Sequence, residues 1–195
     1  MSVNTRSSRP EHKHSAVVAV AAAVAVFATP AAANHAVVPA PPLPPLVAVQ
    51  VPGLRAQGGG EMKVLGLSIY DGWFWADGHA WRPDRTYLLD LHYHRDLDGA
   101  RLAERSVVEI EGIGGGTPED RLRWGEAMRR ILPDVGKGDR ITGIHLPPGI
   151  VRYFLNGAFI GEIDDPQFAR AFFGIWLDPK TSRTDFRRKL LGERP

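Results

Sequence analysis

Hydrophobic and polar positions alternate most cleanly from Ile150 to Ile163, and the alternation predicts a β-hairpin. Val151, Tyr153 and Leu155 fall on one face of the first run; Arg152, Phe154 and Asn156 fall on the other. The return run sets Phe159, Gly161 and Ile163 against Ala158, Ile160 and Glu162. Asn156-Gly157 lies between the runs, and both residue types tolerate the positive φ of a tight hairpin turn. The period then changes to that of a helix. Asp165 is placed to cap it and Pro166 to begin it, and Phe168, Ala171, Phe172 and Ile175 form its apolar face.

Earlier stretches repeat both patterns. Glu61 to Trp75 reads as a strand region, with Lys63, Leu65, Leu67 and Ile69 on one parity and Val64, Gly66, Ser68 and Tyr70 on the other. Trp73, Phe74 and Trp75 put aromatic bulk on both of its faces. In Thr86 to His94, the apolar Tyr87, Leu89, Leu91 and Tyr93 alternate with Leu88, Asp90, His92 and His94. Asp98 can cap a helix to about Glu111. Thr117-Pro118-Glu119-Asp120 starts another, ended by Pro133, with Trp124, Ala127, Met128 and Ile131 as its stripe. Arg140 to Leu146 is a further strand, and Thr184 can cap a last short helix ending near Gly192. The order predicts an α+β fold: an antiparallel β-sheet with a layer of helices packed on one face.

The first 57 residues follow neither period. Arg6, Arg9 and Lys13 precede an uninterrupted Ala/Val/Phe run from Ala16 to Ala28, and Ala31-Ala32-Ala33 offers small residues for cleavage. This is the three-part pattern of a secretory signal peptide. Residues 1–33 are therefore expected to be removed near Ala33 or Ala36, leaving a periplasmic or secreted protein without a membrane span. Residues 34–57 form a Pro-rich linker, with Pro39, Pro41, Pro42, Pro44, Pro45 and Pro52 favouring extended backbone over helix or central strand. It is read as a spacer, or as a rigid segment lying on the domain. Gly58-Gly59-Gly60 gives a flexible lead into a domain spanning 58–192 and lacks the following Lys-Ser/Thr of a phosphate loop.

Composition narrows the chemistry. A net charge of +2 carries no sign of nucleic-acid binding, which needs a concentrated basic face. With no Cys, disulfides, thiolate metal sites and Cys nucleophiles are excluded. Asp90, His92 and His94 share a strand face, where two imidazoles can hold a metal, but a polar sheet face explains them better. Ser68 and Ser106 lack a nucleophile-elbow context, and no cofactor is implied. The strand aromatics Tyr70, Trp73, Trp75, Tyr93, Tyr153 and Phe154 serve core packing first, and an apolar pocket with polar tips second.

Several runs carry a resemblance: K-V-L-G-L-x-I-Y-D-G-W-F-W from Lys63, Y-x-L-x-L-x-Y-H-R-D from Tyr87, and W-G-E-A-M from Trp124. P-D-V-x-x-G-D-R-I-T-G from Pro133 and F-L-N-G-x-x-I-G-E-I-D-D-P-x-F-A-R-A-F-F-G-I-W-L-D from Phe154 complete it. Over roughly Gly58 to Gly192 the chain resembles the bacterial exported branch of the chalcone isomerase-like family. The resemblance implies a ligand cleft between sheet and helices. In that family plant enzymes cyclise chalcones, related members bind fatty acids without known catalysis, and many bacterial members have no assigned role. The enzymes and fatty-acid binders carry an Arg ahead of the first strand. Met62 falls near that place here, beside Lys63, and the enzymes' strand Thr falls near Tyr70. A thioether cannot hold a phenolate or carboxylate, and Lys63 offers a point charge without the guanidinium fork. The resemblance therefore implies a non-catalytic binder of a hydrophobic or acidic small molecule such as a fatty acid. Lys63, Tyr70, Trp73, Trp75, Tyr93 and Phe154 are the candidate ligand contacts. The alternatives are an intramolecular lyase or isomerase using Tyr70 and Lys63, and a structural or partner-binding protein whose cleft is filled by its own side chains. The oligomeric state has no sequence signal.

Overall fold

The computed structural model describes residues 39–78 and 81–193, so the expected leader and its cleavage points lie outside the described residues. The elements are α1 (Pro45–Ala48), β1 (Arg55–Val64), β2 (Leu67–Ala76), β3 (Tyr87–Tyr93), α2 (Gly99–Gly112) and α3 (Pro118–Ile131). They continue with β4 (Arg140–Leu146), β5 (Ile150–Leu155), β6 (Ala158–Asp164), α4 (Pro166–Leu177) and α5 (Thr184–Leu190). The six strands form one antiparallel sheet in chain order. Short connections between sequential antiparallel strands need no crossover, which suits this α+β order. Among the described residues, no helix is long and apolar enough to cross a membrane.

Pairing runs through Trp73↔Asp90, Leu89↔Gly143, Gly143↔Tyr153 and Tyr153↔Gly161, and it fixes two faces. One carries Met62, Phe74, Tyr87, Leu89, Leu91, Tyr93, Ile141, Val151 and Tyr153, and packs against the helices. α4 is the central helix of that layer, buried at nine positions from Phe168 to Leu177. Its start is the expected one: Asp165 accepts hydrogen bonds from the amides of Gln167 and Phe168, and Pro166 occupies the first turn. α3 opens with a capping box, Thr117 and Asp120 each bonding the other's backbone amide. α5 contacts β1 and β2, α3 contacts β6, and α2 packs on α3 and α4.

The opposite face is covered as well. Val47 and Val51 pack on Leu88, Ile144 and Phe154, with Leu43, Leu54, Trp75 and Leu146 around them. The Pro-rich segment thus lies as a strap across the sheet. It contains one helical turn, contrary to the extended backbone that its proline density suggests: Pro45 sits in the first turn, where its missing N–H costs nothing. Under the strap, Arg140 Nε and Nη2 donate to Asp90 Oδ1 and Oδ2 at 2.7 and 2.6 Å, and Arg140 Nη1 donates to the carbonyl of Pro42 at 3.0 Å.

The strand region expected over Glu61 to Trp75 is two strands, folded at Leu65-Gly66 with φ of 50° and 79°. The Gly run belongs to β1, where it permits close packing rather than flexibility. A Cβ on Gly58 would sit 2.1 Å from the Lys189 carbonyl oxygen, so the end of α5 lies directly on the sheet edge. The second hairpin also departs in detail. Its Asn156-Gly157 turn has the expected positive φ values of 51° and 86°. A register shift between Tyr153 and Phe154 then pairs Phe159 with Phe154, moving Phe159 off the face of Gly161 and Ile163.

Candidate functional site

Strand alternation divides the expected ligand contacts between the two faces. Tyr70 and Tyr93 meet on the helix side, their ring centroids 5.7 Å apart and nearly perpendicular, and Phe186 from α5 closes on Tyr70 at 5.8 Å. Trp176 Nε1 from α4 donates to the Tyr70 hydroxyl at 2.9 Å. Burial pushes the Tyr70 phenol up to about 12, against the smaller opposite pull of that hydrogen bond. Burial also raises the phenols of Tyr93 and Tyr153. The Tyr153 hydroxyl is fully enclosed and has no hydrogen-bond partner among the described residues, and its ring meets Phe172 of α4 at 5.4 Å.

Trp73, Trp75 and Phe154 belong to the strap side. Trp73 stands edge-on to His92 at 4.8 Å, and Trp75 and Phe154 pack in the cluster beneath the strap. Asp90 and His92 join there at 3.1 Å, whereas His94 pairs with Asp71 at 3.1 Å, so the three do not converge. Lys63 stands at the sheet edge with its ammonium 2.9 Å from Glu61. No hydrogen bond joins Lys63 to Tyr70. The expected contacts therefore form no single constellation: Tyr70 and Tyr93 stay together, Lys63 lies near them at the rim, and the rest serve the other face.

Two grooves accompany these clusters. One of about 590 Å³ lies on the strap side, walled by Phe154, Phe159 and Gly161. Its charges are already matched, because Arg152 donates to Glu162 at 2.8 Å and to Gln50 at 2.9 Å. The other, of about 330 Å³, opens where β1 meets α5, at the edge of the sheet–helix interface. Met62 and Phe186 supply its apolar wall, and Lys63, Arg183 and Lys189 its cations. Phe186 connects it to the Tyr70–Tyr93 pair. Sequence reasoning missed Arg183, Phe186 and Lys189. Their three-residue spacing marks one stripe of a helix, but only the packing of α5 on β1 shows what that stripe faces.

A six-stranded antiparallel sheet with helices layered on one face and an aromatic interface between them defines the class of fold. Residues 116–192, less than half of the chain, match the family model described as chalcone isomerase-like. An uncharacterized protein of Haemophilus influenzae is 30% identical over 111 residues, 56% of this chain and 54% of that relative. The chain thus spans about half the length of the curated relative it matches. Among solved structures, a fatty-acid binding protein of Arabidopsis thaliana aligns with a TM-score of 0.56 at 14% identity, covering 72% of this chain and 87% of that one. At that identity the likeness is one of fold.

Proposed function

We propose that this chain is an exported chalcone isomerase-like protein that holds a hydrophobic or acidic small molecule, such as a fatty acid, between its sheet and its helices without transforming it. The observation that carries the reading is the groove at the β1–α5 edge. It has an apolar wall of Met62 and Phe186 beneath cationic side chains, and it adjoins the Tyr70–Tyr93–Trp176 cluster. A ligand with an apolar body and one polar end matches such a site. Likeness of fold to a plant fatty-acid binding protein supports the same ligand class. The leader pattern supports export, followed by cleavage near Ala33 or Ala36.

Catalysis by Tyr70 and Lys63 draws no support from the geometry. The phenol is bonded to Trp176 and held up at about 12, while the ammonium is paired with Glu61. A thermal-shift titration with saturated fatty acids of increasing length tests the binding reading. Ligand at a hundred times its Kd stabilises the folded state by about 2.7 kcal/mol, so the melting temperature rises and saturates. No shift together with no saturable binding sinks the proposal. Turnover of a chalcone that is lost in Tyr70→Phe would replace it with the isomerase reading.

A further inference from the structure

The charges around the β1–α5 groove do not balance, and the imbalance points to a head group. Its two acids are occupied: Glu61 accepts from Ser68 and pairs with Lys63, and Asp185 pairs with Arg188. Its three cations are not all occupied. Lys63 has Glu61, but neither the Arg183 guanidinium nor the Lys189 ammonium has a hydrogen-bond or ion-pair partner among the described residues. The other basic residues of α5 differ. Arg187 donates to the Leu177 carbonyl at 2.8 Å and reaches Glu193 at 3.3 Å, and Arg188 holds Asp185.

Arg183 is also held in place. Its amide donates to Thr181 Oγ1 at 3.1 Å, and that hydroxyl donates to the Ile175 carbonyl of α4 at 2.6 Å. Thr181 is 4% exposed, so the segment before α5 is fastened to the last turns of α4. The Arg183 side chain is only half-buried and lines the groove together with Phe186, whose ring meets Tyr70 at 5.8 Å. Lys189 lies against the Cα of Gly60: a Cβ there would be 2.8 Å from Lys189 Cδ. A guanidinium carried on an anchored backbone presents a planar fork matching the two oxygens of a carboxylate, and an ammonium adds a point charge.

We infer that Arg183 is the head-group receptor of this site: its guanidinium takes the carboxylate of a single-chain amphiphile at the β1–α5 rim, assisted by Lys189, with the chain running past Met62 and Phe186 toward Tyr70. This rests on the ligand-binding reading above and adds to it an orientation and a specificity residue. The receptor comes from the helix layer, across the groove from the strand position where Met62 stands.

Dodecanoate and dodecanol share a chain and differ in the head, so their affinities for the mature chain, Arg183→Gln, Arg183→Lys and Lys189→Gln separate the possibilities. The native protein should bind the acid about ten- to a hundredfold more tightly than the alcohol, the range for hydrogen bonds to charged groups. Arg183→Gln should remove most of that preference. Arg183→Lys should restore part of it, because charge returns without the fork, and Lys189→Gln should cost less than Arg183→Gln. Circular dichroism of each variant confirms that the fold persists; if Arg183→Gln does not fold, Arg183→Lys takes its place and a full acid preference there refutes the assignment. Equal affinities for acid and alcohol in the native protein overturn the head-group site but leave ligand binding standing. An acid preference that survives Arg183→Gln places the head elsewhere. No binding of either probe overturns this inference and the ligand-binding reading together.

Discussion

Asp90 is fully buried and accepts from Arg140 through both oxygens and from Thr142 Oγ1 at 2.8 Å, with His92 Nε2 3.1 Å away. Burial opposes its ionisation. The hydrogen bonds from His92 and Arg140 and the Arg140 charge outweigh burial and hold the carboxyl below its ordinary value. Its contribution to stability is therefore complete above the unfolded value, about 3.9, and is lost as pH falls through the lower folded value. Asp90→Ala leaves the Arg140 guanidinium, whose side chain is 13% exposed, without its counter-ion. The expected cost is about 3–5 kcal/mol in urea unfolding at neutral pH. Leu65 offers the opposite case. It is 98% exposed at a φ of 50°, a conformation costing an L-residue about 1–2 kcal/mol. Asn tolerates that conformation better, so Leu65→Asn should stabilise the chain by up to about 1 kcal/mol in the same assay. The alternation of Asp90 and His92 with Leu89 and Leu91 reads in the sequence as a polar, partly solvated sheet face, but the strap covers that face and Asp90 is fully buried. That Arg140 would close on Asp90 was not legible, because it depends on the β3–β4 register, which adjacent residues do not encode.

Capping explains why the helices were the most legible elements. Asp98, Thr117 and Asp165 begin α2, α3 and α4, and each is a short polar side chain accepting from the first-turn amides. The misread elements lacked such punctuation. Leu65-Gly66 is a poor hairpin signal beside Asn156-Gly157, and the parity of Lys63, Leu65 and Leu67 runs unbroken through the turn. A rigid segment lying on the domain was one of the two readings of the Pro-rich stretch, but its helical turn was hidden by its prolines. Leu43, Val47, Val51 and Leu54 nevertheless recur near helical spacing and pack toward the sheet together. Val47 is wholly buried there, so Val47→Asp should expose Leu88, Ile144 and Phe154 to water. A drop on the order of 3 kcal/mol or more, with new binding of a hydrophobic dye, is the expected result. Unchanged stability would show that the strap contributes little to the fold.

At the scale of the whole molecule, one sheet carries two different surfaces. Its strap side is covered by chain-internal packing, with a groove whose charges are matched; its helix side ends in a groove with cations to spare. The α+β architecture was legible because element order and period are local properties. The candidate site was legible only in part: Tyr70 and Tyr93 stood out as strand aromatics, but the β2–β3 register is what sets them opposite each other, and Arg183, Phe186 and Lys189 reach the groove through tertiary packing. Trp73, Trp75 and Phe154 carry the same aromatic signal as Tyr70 and Tyr93 but face the other way, and composition cannot tell the two sides apart. The most direct test is native mass spectrometry of the protein incubated with excess dodecanoate. The account predicts a saturating one-to-one adduct whose occupancy falls in Arg183→Gln. A spectrum that stays at the bare protein mass at every dodecanoate concentration would contradict it.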